Sequence, residues 1–157
     1  MESPHSPIPI PESSIEDKKI FLQGNIVNFV RQYQLPIIEV SLVISKYLRI
    51  LTESLVEQAT VHGEVLPDSL LMQRPFDPPD IEPVISEFPL DSLIGNVDQD
   101  RMDILDTIIR TSITNTELPF SQAIPILRDW EELTRKQLSE ATSPGHLFTP
   151  LGIPDGF

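Results

Sequence analysis

The chain has 157 residues, 39% hydrophobic and 22% charged, and its 24 acidic against 11 basic residues leave a formal charge of −13. It has no cysteine, which excludes disulfides, a thiol nucleophile and cysteine-based zinc or iron–sulfur sites. The length suits one domain, no run approaches the roughly 18–20 apolar residues of a membrane span, and the N-terminus lacks a basic-then-apolar signal pattern, so a soluble intracellular protein is expected.

Residues 1–12, MESPHSPIPIPE, carry four prolines and read as an extended tail with polyproline II character. A first helix is expected from Ser13 or Ser14, because Ser13 and Glu16 have capping-box spacing and Asp17 complements the helix dipole. Leu22, Ile26, Phe29, Val30 and Tyr33 share one face, Gly24 weakens the middle or permits a close helix contact, and the helix must stop before Pro36. From Ile37 to His62 there is neither Pro nor Gly, and Gly63 stands where a C-terminal cap belongs. This predicts a long central helix with Val40, Ile44, Tyr47, Leu48, Leu51, Leu55 and Ala59 as its apolar stripe. Lys46, Arg49, Glu53 and Glu57 form its wet face, and Leu42 falls on that otherwise polar side.

Residues 64–97 change character. Six prolines forbid a long helix, yet the apolar residues continue, so short turns are expected at 67–73, 80–87 and 89–94. Asp98 is placed to cap a third main helix reaching about Thr114, with Asp106 and Arg110 in the favourable i,i+4 order. Ser121 is expected to cap a last helix to about Ala141, with Pro125 in its first turn or just past it and surface pairs Glu131–Arg135 and Glu132–Lys136. The C-terminal stretch 143–157, SPGHLFTPLGIPDGF, is expected to be irregular, and its apolar residues must bind either the protein's own surface or a partner groove. The fold class read from these elements is all-α: a small bundle of about four main helices with one long central helix, a proline-rich middle, and extended N- and C-terminal tails. The boundaries are a tail over 1–12, a helical domain over 13–142 that includes the acidic segment 64–97, and an irregular tail over 143–157.

The search for chemistry is largely negative. His5, His62 and His146 have no partner at metal-ligand spacing, and neither a glycine-rich phosphate loop nor a nucleophile elbow occurs. Asp98, Asp100, Asp103 and Asp106 are the one concentrated set of carboxylates. A metal-dependent enzyme using them is a remote alternative, because acids also favour a helix's first turn. No cofactor or metal is expected. The charge of −13 repels phosphate backbones, so autonomous nucleic-acid binding and insertion into membranes are not expected. A protein partner with a basic surface is the natural complement. The functional expectation is a non-enzymatic interaction subunit, adaptor or assembly factor, forming homo- or hetero-oligomers. Its candidate contact residues are Leu42, the acids Asp77, Asp80 and Glu82, and the tail residues Leu147, Phe148, Leu151 and Phe157.

The segment SLVISKYLRILTESLVEQA is similar to the central helix of small non-core histone-fold subunits, with 35–63 as the long helix and DIEPVISEFPLDSL as the third. That resemblance implies pairing with a second such subunit in a chromatin or transcription assembly.

Overall fold

The computed structural model describes residues 8–75 and 95–157, and these form five α-helices with no strand: α1 Ile15–Gln32, α2 Ile37–Val61, α3 Asp68–Leu71, α4 Gln99–Thr114 and α5 Phe120–Ser139, followed by a 3₁₀ turn Pro144–Phe148. The all-α class expected from the sequence is what the described residues show. None of these helices is long and apolar enough to cross a membrane.

One of the expected starts shifts, and another is resolved between its two alternatives. Ser14, not Ser13, caps α1 by accepting the Asp17 N–H at 3.1 Å. Ser13 is used one turn earlier, where its hydroxyl accepts the Ile10 N–H at 3.0 Å. Asp98 caps α4 as expected, its Oδ1 accepting the Arg101 N–H at 3.2 Å. Ser121 does not cap the last helix: α5 starts at Phe120 behind Pro119, whose carbonyl takes the Gln122 and Ala123 N–H groups, and Pro125 lies inside it. Glu131 pairs with Arg128 at 2.9 Å rather than with Arg135. Arg128 faces inward with it, so the pair is buried instead of solvated.

Three helices end in a similar hydrogen-bonded turn, in which a residue one or two past the cap takes positive φ and the next N–H reaches back five residues. Leu35 donates to Val30 O at 3.1 Å after Gln34 (φ 48°), Glu64 to Ala59 O at 2.8 Å after Gly63 (φ 68°), and Leu118 to Ile113 O at 3.0 Å after Glu117 (φ 55°). Only Gly63 adopts that conformation without steric cost. Gln34 and Glu117 are held there because the next residues, Leu35 and Leu118, are driven into the core at 0% and 2% exposure.

Each of the four long helices packs on two others: α2 on α5 and α4, and α1 on α4 and α5. One continuous core results, with Trp130, Leu22, Ile26, Ile44, Leu105, Ile109, Ile124 and Leu127 fully buried. The Trp130 indole N–H donates to Gln23 Oε1 at 2.7 Å, and Asn25 donates to Ser112 Oγ at 2.9 Å, so polar tips at the helix contacts are satisfied. The apolar face of α2, which a histone-fold pairing would present to a second subunit, lies chiefly against α5 of the same chain. The segment proposed as the third helix of that pairing, 80–93, lies outside the described residues.

The C-terminal stretch closes over this bundle. Ile37 N–H donates to Thr149 O and Leu151 N–H to Leu35 O, both at 2.9 Å, so the tail supplies an acceptor at the start of α2. Gln137 clamps Gly152, donating to its carbonyl at 2.6 Å and accepting its N–H at 3.0 Å. Leu147 packs with Ile38 and Ala141, Leu151 joins the main core, and Phe157 meets Trp130 edge-on at 4.8 Å. Among the named tail residues, Leu147 and Leu151 are therefore core, and Phe148 and Phe157 are half-buried against it. The chain itself thus takes up Leu147 and Leu151, while Phe148 and Phe157 keep part of their surface in solvent.

Candidate binding cleft

Helical spacing assembles a cleft of about 310 Å³ where α2, α4 and the start of α5 meet. Lys46, Tyr47, Ile50 and Leu51 come from adjoining turns of α2. Asp106, Arg110, Ile113 and Thr114 come from α4 at the same kind of spacing, and Phe120 closes one end. Leu51 and Ile113 are buried and belong to the core, so they form a fixed apolar wall. Ile50 stands at the rim, 42% exposed.

A compact ionic cluster sits at one side of this wall. The Asp106 carboxylate accepts from Lys46 Nζ, from the Tyr47 hydroxyl at 2.5 Å and from Arg110 Nη1 at 3.3 Å. Its side chain is only 13% exposed, whereas those of Lys46 and Arg110 are 50% and 55% exposed. The cluster thus shows solvent two cations around a covered anion. Burial would raise the Asp106 pKa, but the hydrogen bonds from Lys46 and Tyr47, with the charges of Lys46 and Arg110, outweigh it and hold the carboxyl below its ordinary value. Burial pushes the Tyr47 phenol up to about 12, and its bond to Asp106 adds to that shift. Neither group changes protonation near neutrality. Asp106 and Tyr47 therefore hold one another in a fixed hydrogen bond at that pH.

The other acids of this region do not join the cluster. Asp103 accepts from Gln99 at 2.9 Å, whereas Asp106 is engaged by Lys46, Tyr47 and Arg110. No three His, Asp or Glu side chains come together as metal ligands among the described residues. Leu42 is on the outer face of α2, 41% exposed and outside the cleft. Asp77, Asp80 and Glu82 lie outside the described residues.

Two further charge arrangements carry structure. Glu39, fully buried near the start of α2, accepts Arg101 Nε at 3.1 Å, Arg101 Nη2 at 2.8 Å and the Asp98 N–H at 3.1 Å, locking α2 to the start of α4. On α5, Arg128 donates to Glu131 and to Leu70 O at 3.1 Å, while Gln73 donates to Glu131 at 3.3 Å. Arg74 pairs with Asp129, and Arg135 donates to Arg74 O at 2.9 Å. These contacts stitch the 70–75 segment onto α5.

Sequence reasoning placed Tyr47 in the apolar stripe and Asp106 beside Arg110, but it did not bring α2 and α4 together. It passed over Glu39, for which a signal existed: a lone acid inside the run Ile37-Ile38-Glu39-Val40. Among known proteins, no family model, no curated protein and no solved structure matches the chain.

Proposed function

We propose that the chain is a non-enzymatic protein-interaction subunit that takes an apolar anchor side chain of its partner into the cleft between α2 and α4. One observation carries this reading: an open, apolar-walled cleft stands beside a carboxylate, Asp106, that already has three donors. Phe120 offers contact area beside the buried Leu51 and Ile113, and Ile50 at the rim is available to cover an inserted side chain. Lys46 and Arg110 suit an anchor flanked by an acidic residue. The Asp106 carboxylate has three donors, which leaves it little capacity to act as a base.

A second feature supports the same class. Beyond Leu51 only Ala59 of α2 is buried. Val56, Val61 and Val65 are exposed there at 43%, 76% and 96%, among Glu53, Glu57, Glu64 and Asp68, with no Lys or Arg between 53 and 68. An apolar end rimmed by carboxylates complements a partner whose outer contact surface is basic.

Selection of displayed random peptides on the full chain tests the reading. Binders are expected to share one aliphatic or aromatic anchor, and Ile50→Glu is expected to abolish their capture while leaving thermal melting nearly unchanged, because Ile50 is exposed. Binders that ignore Ile50→Glu would place the contact elsewhere and defeat the proposal.

A further inference from the structure

Helix α1 presents a stripe that the chain's own packing covers only in part: Val27 leans on the core, and Ile8 and Pro9 flank Ile20 and Gly24 across an open pocket. Asp17, Ile20, Gly24, Val27 and Arg31 follow each other at steps of three and four, so they form one stripe along its outer side. Ile20 is 61% exposed, Gly24 and Val27 are half-buried, and Asp17 and Arg31 are exposed with no ion-pair partner among the described residues. Gly24 stands in the middle of this 18-residue helix, and a Cβ built there meets nothing within 4 Å. The chain's own packing therefore does not require glycine, and after proline it is the poorest helix former. What a glycine offers at such a place is close approach of a second backbone.

The stripe is also self-complementary. Asp17 and Arg31 lie seven residues before and after Gly24. If two copies cross antiparallel on a two-fold axis at Gly24, each residue faces the one equally far on the other side, so Asp17 meets Arg31 of the second copy at both ends. The same operation sets Ile20 beside Val27 of the second copy, twice. A parallel arrangement would instead oppose like charges. We infer that α1 is a homotypic docking surface on which two copies of this chain pair antiparallel across Gly24, with Asp17 and Arg31 fixing the register. This surface is separate from the α2–α4 cleft, and the inference does not depend on the cleft's role.

Sedimentation equilibrium of the full chain tests it, in moderate salt so that the charge of −13 on each copy is screened. A concentration-dependent dimer is expected. Asp17→Arg alone and Arg31→Asp alone each oppose like charges at both ends and are expected to weaken dimerisation by about tenfold or more. The double reversal Asp17→Arg/Arg31→Asp restores opposite charges and is expected to recover most of the loss. Gly24→Leu is expected to abolish the dimer by wedging the helices apart, with circular dichroism and the Trp130 emission confirming that each variant keeps the fold. A chain that remains monomeric at submillimolar concentration overturns the inference. So does a dimer indifferent to the single reversals, or a double reversal no better than the singles.

Discussion

Replacing Arg101 by methionine strands a carboxylate that has little water to turn to. Glu39 is fully buried, and two of its three hydrogen bonds come from the Arg101 guanidinium. Breaking a buried ion pair from one side costs roughly 3–5 kcal/mol. Two features reduce this: the Asp98 N–H stays at 3.1 Å, and the Arg101 side chain is 36% exposed, so water enters along the path it leaves. The expected loss is about 2–3 kcal/mol. Glu39→Met removes the other partner, and Arg101 then still has solvent and Asp98 within 3.6 Å, so about 1 kcal/mol is expected there. The double variant Glu39→Met/Arg101→Met replaces the pair by apolar volume and should be close to neutral, giving a coupling of about 2 kcal/mol or more in the cycle. Urea denaturation followed through Trp130 reads all four proteins, since this one tryptophan is buried in the core. Equal losses from the two single variants, or additive losses in the double, would refute the claim that the cost lies in the buried carboxylate.

Four further outcomes are expected. The Asp106 carboxyl is held below its ordinary pKa in the fold, so its stabilising contribution is present at neutral pH and is lost as pH falls through and below the usual carboxylate range. The Tyr47 phenol is raised to about 12 from 10, so its contribution is complete below pH 10 and lost between there and about 12; melting across alkaline pH should lose that limb in Tyr47→Phe. Leu147→Ala removes a buried anchor of the C-terminal stretch, and a loss of about 2–3 kcal/mol is expected, with limited proteolysis reporting release of 143–157. Gln34→Gly and Glu117→Gly should each stabilise by up to about 1 kcal/mol in thermal melts, because both residues occupy left-handed backbone that glycine adopts freely; a loss at either site would show that the side chain itself is used.

The local rules needed for the helices were present in the order of the residues. The apolar spacing from Ile37 to Val61, the absence of Pro and Gly within it, and Gly63 after it set both ends of α2 to within a residue. Asp98 announced α4 in the same way. These signals are legible because capping and periodicity act over three or four neighbours. Where a residue had two local uses the sequence was ambiguous, and Ser13 and Ser14 exchanged roles once the turn at Ile10 was made.

Long-range choices were different. Gln34 and Glu117 carry no turn signature, and they accept an unfavourable backbone because burying Leu35 and Leu118 outweighs it. The greasy C-terminal residues fitted a partner's groove or the chain's own surface equally well, until the open edges beside Ile38 and Trp130 showed where they go. The cleft itself joins Tyr47 to Asp106, and the lock joins Glu39 to Arg101, across about sixty residues of sequence. A carboxylate's partners follow from distance in space, and only the packing of α2 against α4 brings those side chains within reach.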